Sequence, residues 1–369
     1  MFYLGNHAYV VGAATAGLIA AKRLAARGVR TTVYDQKRVL GLPVRASGIL
    51  SISGLSELDL KYESSITNTL YGANIHCGNE TMSVVSKTPV AHILERQKLN
   101  DICFDEAAGE GAEVITGKRI DSSFLTGLQG HGVIVGADGA VSTVASAFGM
   151  GSMDRFVLTY KAEYEVRAPD PKMVDLFFDN SRYKGLFAWL APNEHDVLEV
   201  GVGIESTLGN ARAAFDAFIR QKEVSNIIGG IKPLSEGACM IPMAMRKRIA
   251  DDANGVVLIG DAAGQVKPTT GGGIIFGGKA AGMAAEAIAK HLEGAGRLSD
   301  YEREFRRRHG ADLWMHSMIN KTYRSMGQGS MGAALKVMRT FGIDRFLGMY
   351  GDMDRPSLIL KRFFLRNLA

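Results

Sequence analysis

Only three cysteines occur in 369 residues, Cys77, Cys103 and Cys239, far apart and in no Cys-x-x-Cys or Cys/His spacing. Their scarcity excludes a structural zinc ribbon and a disulfide framework, and it fits a reducing cytoplasmic setting. The eight histidines fall in no ligand motif either. Long uncharged apolar runs are missing too. The nearest, AYVVGAATAGLIAA at residues 8–21, looks like a signal-peptide core, but no basic segment precedes it and its glycines have another explanation. No other run reaches the length of a membrane span, so any meeting with a membrane is expected from the side. Proline is sparse, at 9 residues, and no repeat or low-complexity linker separates one part of the chain from another.

What is abundant is glycine, 44 residues, much of it clustered beside apolar runs. Such clusters suggest tight turns and close approach of backbone to a ligand. The remaining composition, 46% hydrophobic and 22% charged, is that of a soluble globular chain with a substantial core. Its length predicts two domains, or one domain carrying a large insertion. Net charge is +5 and unevenly placed: residues 301–369 hold 13 Lys plus Arg against 6 Asp plus Glu. A basic terminal segment can meet anionic phospholipid or nucleic acid, or form a solvated helical face. No nucleic-acid motif accompanies it, and nucleic acid is not expected as a partner.

Along the chain, AYVVGAATAGLIAAKRLAARGVRTTVYD reads as strand, glycine turn, helix and strand, with Gly28 stopping the helix. A helix near 95–111 and the short strand AEVIT follow. GVIVGADGAVSTVASAFG then runs a strand through a second glycine turn into a helix. Between 156 and 204, FVLTYKAEYEVRA, MVDLFF, GLFAWLAP and VLEVGVGI are strand-like and rich in β-branched and aromatic residues. They predict an antiparallel sheet inserted into the dinucleotide fold, with a helix near 207–222 after it and further helices beyond 300.

Gly12-Ala13-Ala14-Thr15-Ala16-Gly17 stands between a strand and a helix, where a dinucleotide fingerprint belongs. Gly12 permits the turn, Gly17 lets helix and strand pack closely, and the helix N-terminus faces pyrophosphate. Ala14 replaces the middle glycine and narrows that approach. Asp35, at the end of the second strand, is placed to accept from a ribose hydroxyl. Asp138-Gly139 and Gly260-Asp261 are two more strand-end turns. Three turns exceed the needs of one NAD unit and suit an extended FAD. Asp261 would then bond a ribityl hydroxyl, Pro268 would stiffen the loop, and Gly271, Gly272 and Gly273 would bring backbone amides to the flavin edge.

In order, the fingerprint with Asp35, PVRASGILS at 43–51, LER at 94–96, GADG and GDAAGQVKPTTGGGI resemble the geranylgeranyl reductase family of FAD-dependent oxidoreductases, and GDMDRPS at 351–357 resembles its archaeal members. The resemblance implies a Rossmann-like α/β FAD-binding domain built from 1–58, 88–155 and 240–300. It implies a substrate-binding sheet domain from 59–87 and 156–239, and a C-terminal helical segment at 301–369. It also implies FAD contacts from Gln36, Arg45, Ala46, Arg96 and Ile274. Phe187, Trp189, Ala191 and Pro192 occupy the places of the family's Tyr-x-Trp-x-Phe-Pro, the floor of a prenyl cavity, with Pro192 ending the strand. Phe187 and Ala191 depart from that pattern, which removes one hydroxyl and widens the cavity. Ala46 stands where relatives often carry cysteine, leaving neighbouring Ser47 as the candidate catalytic side chain.

The implied activity is saturation of isolated double bonds in geranylgeranyl chains of archaeal-type lipids, by hydride from reduced flavin and a proton from a donor the sequence does not name. NAD(P)H or ferredoxin would supply electrons. The protein would be cytoplasmic, with its basic C-terminus able to touch the inner face of an anionic membrane. Two other readings of the scaffold stay open: an FAD monooxygenase or halogenase-like enzyme, and a flavoprotein passing electrons to quinone.

Overall fold

The computed structural model describes residues 5–42, 47–194 and 196–367. A six-stranded sheet runs, in spatial order, Ala250–Asp251, Val256–Leu258, Val133–Gly136, His7–Val11, Arg30–Tyr34 and Glu113–Ile115. All neighbours in it are parallel except the short outer strand at 250–251. Helices cover both faces, so its central strands are buried along their length rather than alternating: Val133, Ile134 and Val135 are all buried. Thr15–Ala25, Arg96–Gly109 and Ile274–Leu292 are the principal covering helices. The last is made largely of Gly and Ala on its inner side, which brings its backbone close to the first helix.

A second sheet has seven strands, ordered Ser235–Pro242, Phe156–Glu165, Val197–Glu205, Gly185–Glu194, Met173–Phe177, Gly72–Cys77 and Glu80–Val85. It is antiparallel except where Met173–Phe177 runs parallel to Gly72–Cys77. Its strands alternate, because the two faces meet different neighbours. Tyr164, Leu190, Val200 and Val202 pack under the helices Ala211–Ile219 and Lys222–Ile228. Val157, Phe187, Trp189 and Ala191 face the other way, into a separate cluster with Leu70, Ala91 and Ile93. Those last three belong to a small three-stranded sheet, Ile49–Ser51, Ala91–Leu94 and Ile66–Leu70, which lies between the larger two.

Pro192 does not end its strand, contrary to the sequence-based expectation. The strand continues to Glu194, and a register shift between Pro192 and Glu194 absorbs the missing N–H. The helix expected near 207–222 is two helices broken at Arg220–Gln221. Beyond 299 a 27-residue helix, Ser299–Ser325, precedes Gln328–Thr340, Ile343–Tyr350 and Pro356–Asn367.

The segment between the last two helices returns to the body of the protein. Asp354 is 1% exposed and receives Lys267 Nζ at 2.5 Å and the Ser51 hydroxyl. Burial alone would raise the Asp354 carboxyl, but the Lys267 charge and these hydrogen bonds hold it below its ordinary value. Asp354→Ala leaves Lys267 buried without its counter-ion and should cost about 3 kcal/mol, read as a lower urea midpoint. In the parent, stability from this carboxylate is present above its unfolded value of 3.8 and is lost as pH falls through the depressed folded value. Acid titration of the melting temperature should show that loss, and Asp354→Ala should lack it.

Candidate functional site: a glycine-lined cofactor cleft facing an aromatic sheet

The first turn is built by backbone contact. Gly12 has φ +106°, and a Cβ there would lie 2.3 Å from the Ala137 carbonyl oxygen. A Cβ on Gly17 would lie 2.0 Å from the Gly12 carbonyl oxygen. No other residue fits either place. Ala14 caps the helix from extended backbone without a side-chain bond, so the first amides of Thr15–Ala25 stay open to an anion. Asp35 accepts Ala13 N–H and Lys37 N–H, one on each oxygen, both at 2.8 Å. Those bonds fix the carboxylate at the strand end with lone pairs to spare. Gln36 beside it is exposed.

Arg96 opens the helix Arg96–Gly109, whose N-cap is Glu95. Its Nη2 reaches Thr15 Oγ1 at 3.4 Å, while Nη1 is enclosed with no hydrogen-bond partner. Desolvation pulls the Arg96 guanidinium below its usual range, against the opposing influence of Cys103 and Glu95. An enclosed guanidinium edge beside an open helix N-terminus suits an anion such as a phosphate.

Asp138 uses its carboxylate locally. Oδ1 accepts from Ser142 Oγ at 2.6 Å and Oδ2 from Val144 N–H at 3.0 Å, and burial raises its pKa. It shapes the turn that holds Ala137 against Gly12. Gly139, at φ +85°, has open space where a Cβ would go.

At the third turn, Gly260 has φ +60°, and its added Cβ would meet the Ala16 methyl at 3.2 Å. Gly277 approaches the same two residues from the next helix. Gln265 Oε1 accepts Gly260 N–H at 2.8 Å, and Tyr301 OH both receives from Gln265 and donates to the Leu258 carbonyl. Asp261 follows. No described residue hydrogen-bonds its carboxylate, and burial pushes the carboxyl up to about 6. A Cβ on Gly273 would come within 2.8 Å of Asp261 Oδ1, so the carboxylate lies against the start of the Ile274–Leu292 helix. Gly271 takes φ +73° beside Ile241, and Gly272 leaves room for the Lys267 side chain. Pro268 is held by its carbonyl, which accepts from Asn320 Nδ2 at 2.7 Å. His316, driven down to about 4 by burial and the nearby Lys267 charge, receives or donates at Thr269 Oγ1, 2.7 Å away.

These features fit a dinucleotide-like flavin. The guanidinium edge of Arg96 suits a phosphate, Asp35 a ribose, Asp261 a polyol hydroxyl, and the bare backbone at 271–273 a flat ring edge. Arg45 and Ala46 lie outside the described residues. Ser47, the first residue after them, donates its hydroxyl to Glu199.

In the seven-stranded sheet, Phe187 and Trp189 meet edge to face at 6.2 Å, with Ala191 following on the same side of the strand, all three buried in one apolar cluster. Trp189 Nε1 donates to Glu199 Oε1 at 2.8 Å, and Lys161 Nζ lies 2.6 Å from Glu199 Oε2. Sequence reasoning passed over Lys161, Glu199, Lys267 and Asp354. The available signal was a lone charge in an otherwise apolar strand, as in VLEVGVGI, which demands a partner when buried.

Comparison with known proteins adds to this geometry. Residues 10–78 match a model of the NAD(P)-binding Rossmann-like domain, and residues 227–368 one described as lycopene cyclase protein. The digeranylgeranylglycerophospholipid reductase of Methanosarcina acetivorans is 30% identical over 85% of this chain and 84% of its own. The digeranylgeranylglycerophospholipid reductase 1 of Methanothermobacter thermautotrophicus is 30% identical over 82% and 83%. Among solved structures, a geranylgeranyl bacteriochlorophyll reductase-like protein from Thermoplasma acidophilum superposes with TM-score 0.82 at 20% identity, covering 96% of this chain and 94% of that one. A flavin-dependent brominase superposes with TM-score 0.71 at 15% identity, over 98% and 99%.

The unpartnered carboxylate generates the test. Asp261→Ala should weaken FAD retention by roughly 10- to 100-fold, the worth of one charged hydrogen bond. Flavin absorbance retained through gel filtration checks it. Because the carboxyl titrates near 6, retention by the parent should also decline as pH falls below about 6, and Asp261→Ala should lack that decline.

Proposed function

This chain belongs to the digeranylgeranylglycerophospholipid reductase family of FAD-dependent flavoproteins, and from that premise we propose that it saturates isolated double bonds of geranylgeranyl chains in archaeal-type phospholipids. The observation that carries the proposal is that Asp261 and the Arg96 edge stand unpartnered among the glycine turns, while Ile241 beside Gly271 also packs on the apolar cluster of Phe187, Trp189 and Ala191. When bound and reduced, FAD supplies a hydride. The chain's own residues bind, orient and dry the site. Phe187, Trp189 and Ala191 supply the apolar side chains against which a prenyl chain would lie. Excluding water there keeps it from trapping positive charge that develops on carbon. Gly12, Ala14, Thr15, Ala16, Gly17, Asp35 and Arg96 form the proposed diphosphate and ribose side of the cleft, and Gly260, Asp261, Pro268 and residues 271–274 the ring side.

Electrons would come from outside, from NAD(P)H or a ferredoxin, since one fingerprint serves the flavin. The halogenase-like alternative rests on fold likeness alone. Lipid access has its own support. No helix among the described residues is long and apolar enough to cross a membrane. The terminal helices instead expose Val337, Phe341, Met349 and Leu360 among exposed Lys336, Arg345, Lys361 and Arg362. Apolar side chains ringed by cations suit the interface of an anionic bilayer.

Anaerobic reduction with dithionite, followed by addition of a digeranylgeranyl phospholipid, should give products heavier by two hydrogens per bond in mass spectrometry. Unchanged lipid on a reduced, fully loaded flavoprotein would refute the reading. Trp189→Leu should change which bonds or chain lengths are reduced while the flavin spectrum is retained; loss of flavin with unchanged products would place Trp189 in the core instead. Phe341→Asp should reduce co-sedimentation with anionic vesicles severalfold without altering turnover of a detergent-dispersed lipid.

A further inference from the structure

The sheet face that carries Val157, Phe187, Trp189 and Ala191 buries one ion pair deeply. Lys161 and Glu199, on adjacent strands, form an ion pair whose side chains are only 5% and 4% exposed. Glu199 has three donors: Lys161 on Oε2, and Trp189 Nε1 and the Ser47 hydroxyl on Oε1. Two apolar residues would fill these places without the desolvation that burying a charge pair costs. The pair therefore calls for a reason, and its two neutral partners supply one. Trp189 belongs to the aromatic face, and Ser47 is the first described residue after Arg45 and Ala46.

The ring of Trp189 is fixed from two directions. A Cβ at Gly201 would lie 2.1 Å from it, so the indole lies against bare backbone. Glu199 then holds the N–H end and removes the remaining rotation. Gly201 and Gly203, on the same strand face as Glu199, keep that surface low.

We propose that Glu199 is a positioning residue for the reductive site, which holds the Trp189 ring face toward the prenyl chain and draws the Ser47 proton away from it, with Lys161 as its counter-charge. The proposal rests on the reductase reading given above. The ring face so presented attracts positive charge developing on a tertiary carbon. With its hydrogen committed to Glu199, Ser47 offers lone pairs to the cavity and is an acceptor there, not the acid that protonates the alkene.

The charged groups facing Glu199 among the described residues are Lys161 and, two residues along the same strand, Glu163. Glu163 Oε1 lies 3.5 Å from Lys161 Nζ and accepts from Asn193, while Oε2 accepts from Ser235. Burial alone would lower the Lys161 ammonium, but the charges of Glu199 and Glu163 raise it. Removing Lys161 takes away the counter-charge and leaves Glu199 buried beside the like charge of Glu163.

The sequence makes this measurable, because Trp189 and Trp314 are its two tryptophans and Trp314 is 62% exposed. In FAD-loaded Trp314→Phe protein, Trp189 emission should be flat between about pH 5 and about pH 9. Adding Lys161→Met should introduce one titration into that emission. It should lower kcat on a digeranylgeranyl phospholipid by about tenfold at the acid end, with KM little changed. The double variant Lys161→Met/Glu199→Gln, which carries neither charge, should fold and lose the titration. Flat emission in Lys161→Met, or a titration that survives Glu199→Gln, would overturn the assignment. A Trp314→Phe parent that reduces no lipid would refute the reductase reading, and the emission titration would still decide the role of Glu199.

Discussion

Everything at this site depends on backbones touching where side chains would normally keep them apart. Gly12 lies against the Ala137 carbonyl, Gly17 against the Gly12 carbonyl, and Gly260 and Gly277 against the methyl of Ala16. Three chain segments more than a hundred residues apart thereby converge on one helix N-terminus. The convergence leaves polar groups without protein partners, because a turn held by close packing has no side chain free to reach them. The enclosed edge of Arg96 and the unpartnered carboxylate of Asp261 are the result.

That arrangement is then clamped from behind by residues with no part in the cleft itself. Tyr301 joins Gln265 to the Leu258 carbonyl, Asn320 holds the Pro268 and Gly185 carbonyls, and Asp354 pairs with Lys267. Asn320 therefore ties the glycine loop to the first residue of the aromatic strand. The terminal helices act on the site as a brace, while their outer faces carry the exposed apolar and basic residues proposed to meet lipid.

Much was legible in the sequence. The βαβ opening, the second and third glycine turns and the strands between 156 and 204 all announce themselves by local pattern, since strand, turn and helix periods are properties of neighbouring residues. Asp35 at its strand end and Asp261 after its apolar strand were readable for the same reason. Asp138 was read as a cofactor contact from an identical local signal, yet both its oxygens are engaged within its own turn. Pattern placed it correctly at the strand end and could not say which way its hydrogen bonds ran. Pro192 was read as a stop because proline lacks a donor; a bulge, which needs the partner strand to exist, let the strand pass through it.

The sequence by itself determined which segments are strands, where the glycines must turn and which family the chain resembles, because short-range sterics and hydrophobic period act within a few residues. Only the tertiary structure decided that Lys161 meets Glu199, that Glu199 holds both Trp189 and Ser47, and that Asp354 reaches back to Lys267 and Ser51. Those contacts join residues separated by as many as 303 positions. A buried charge demands a partner, but nothing local says which strand or helix will bring it.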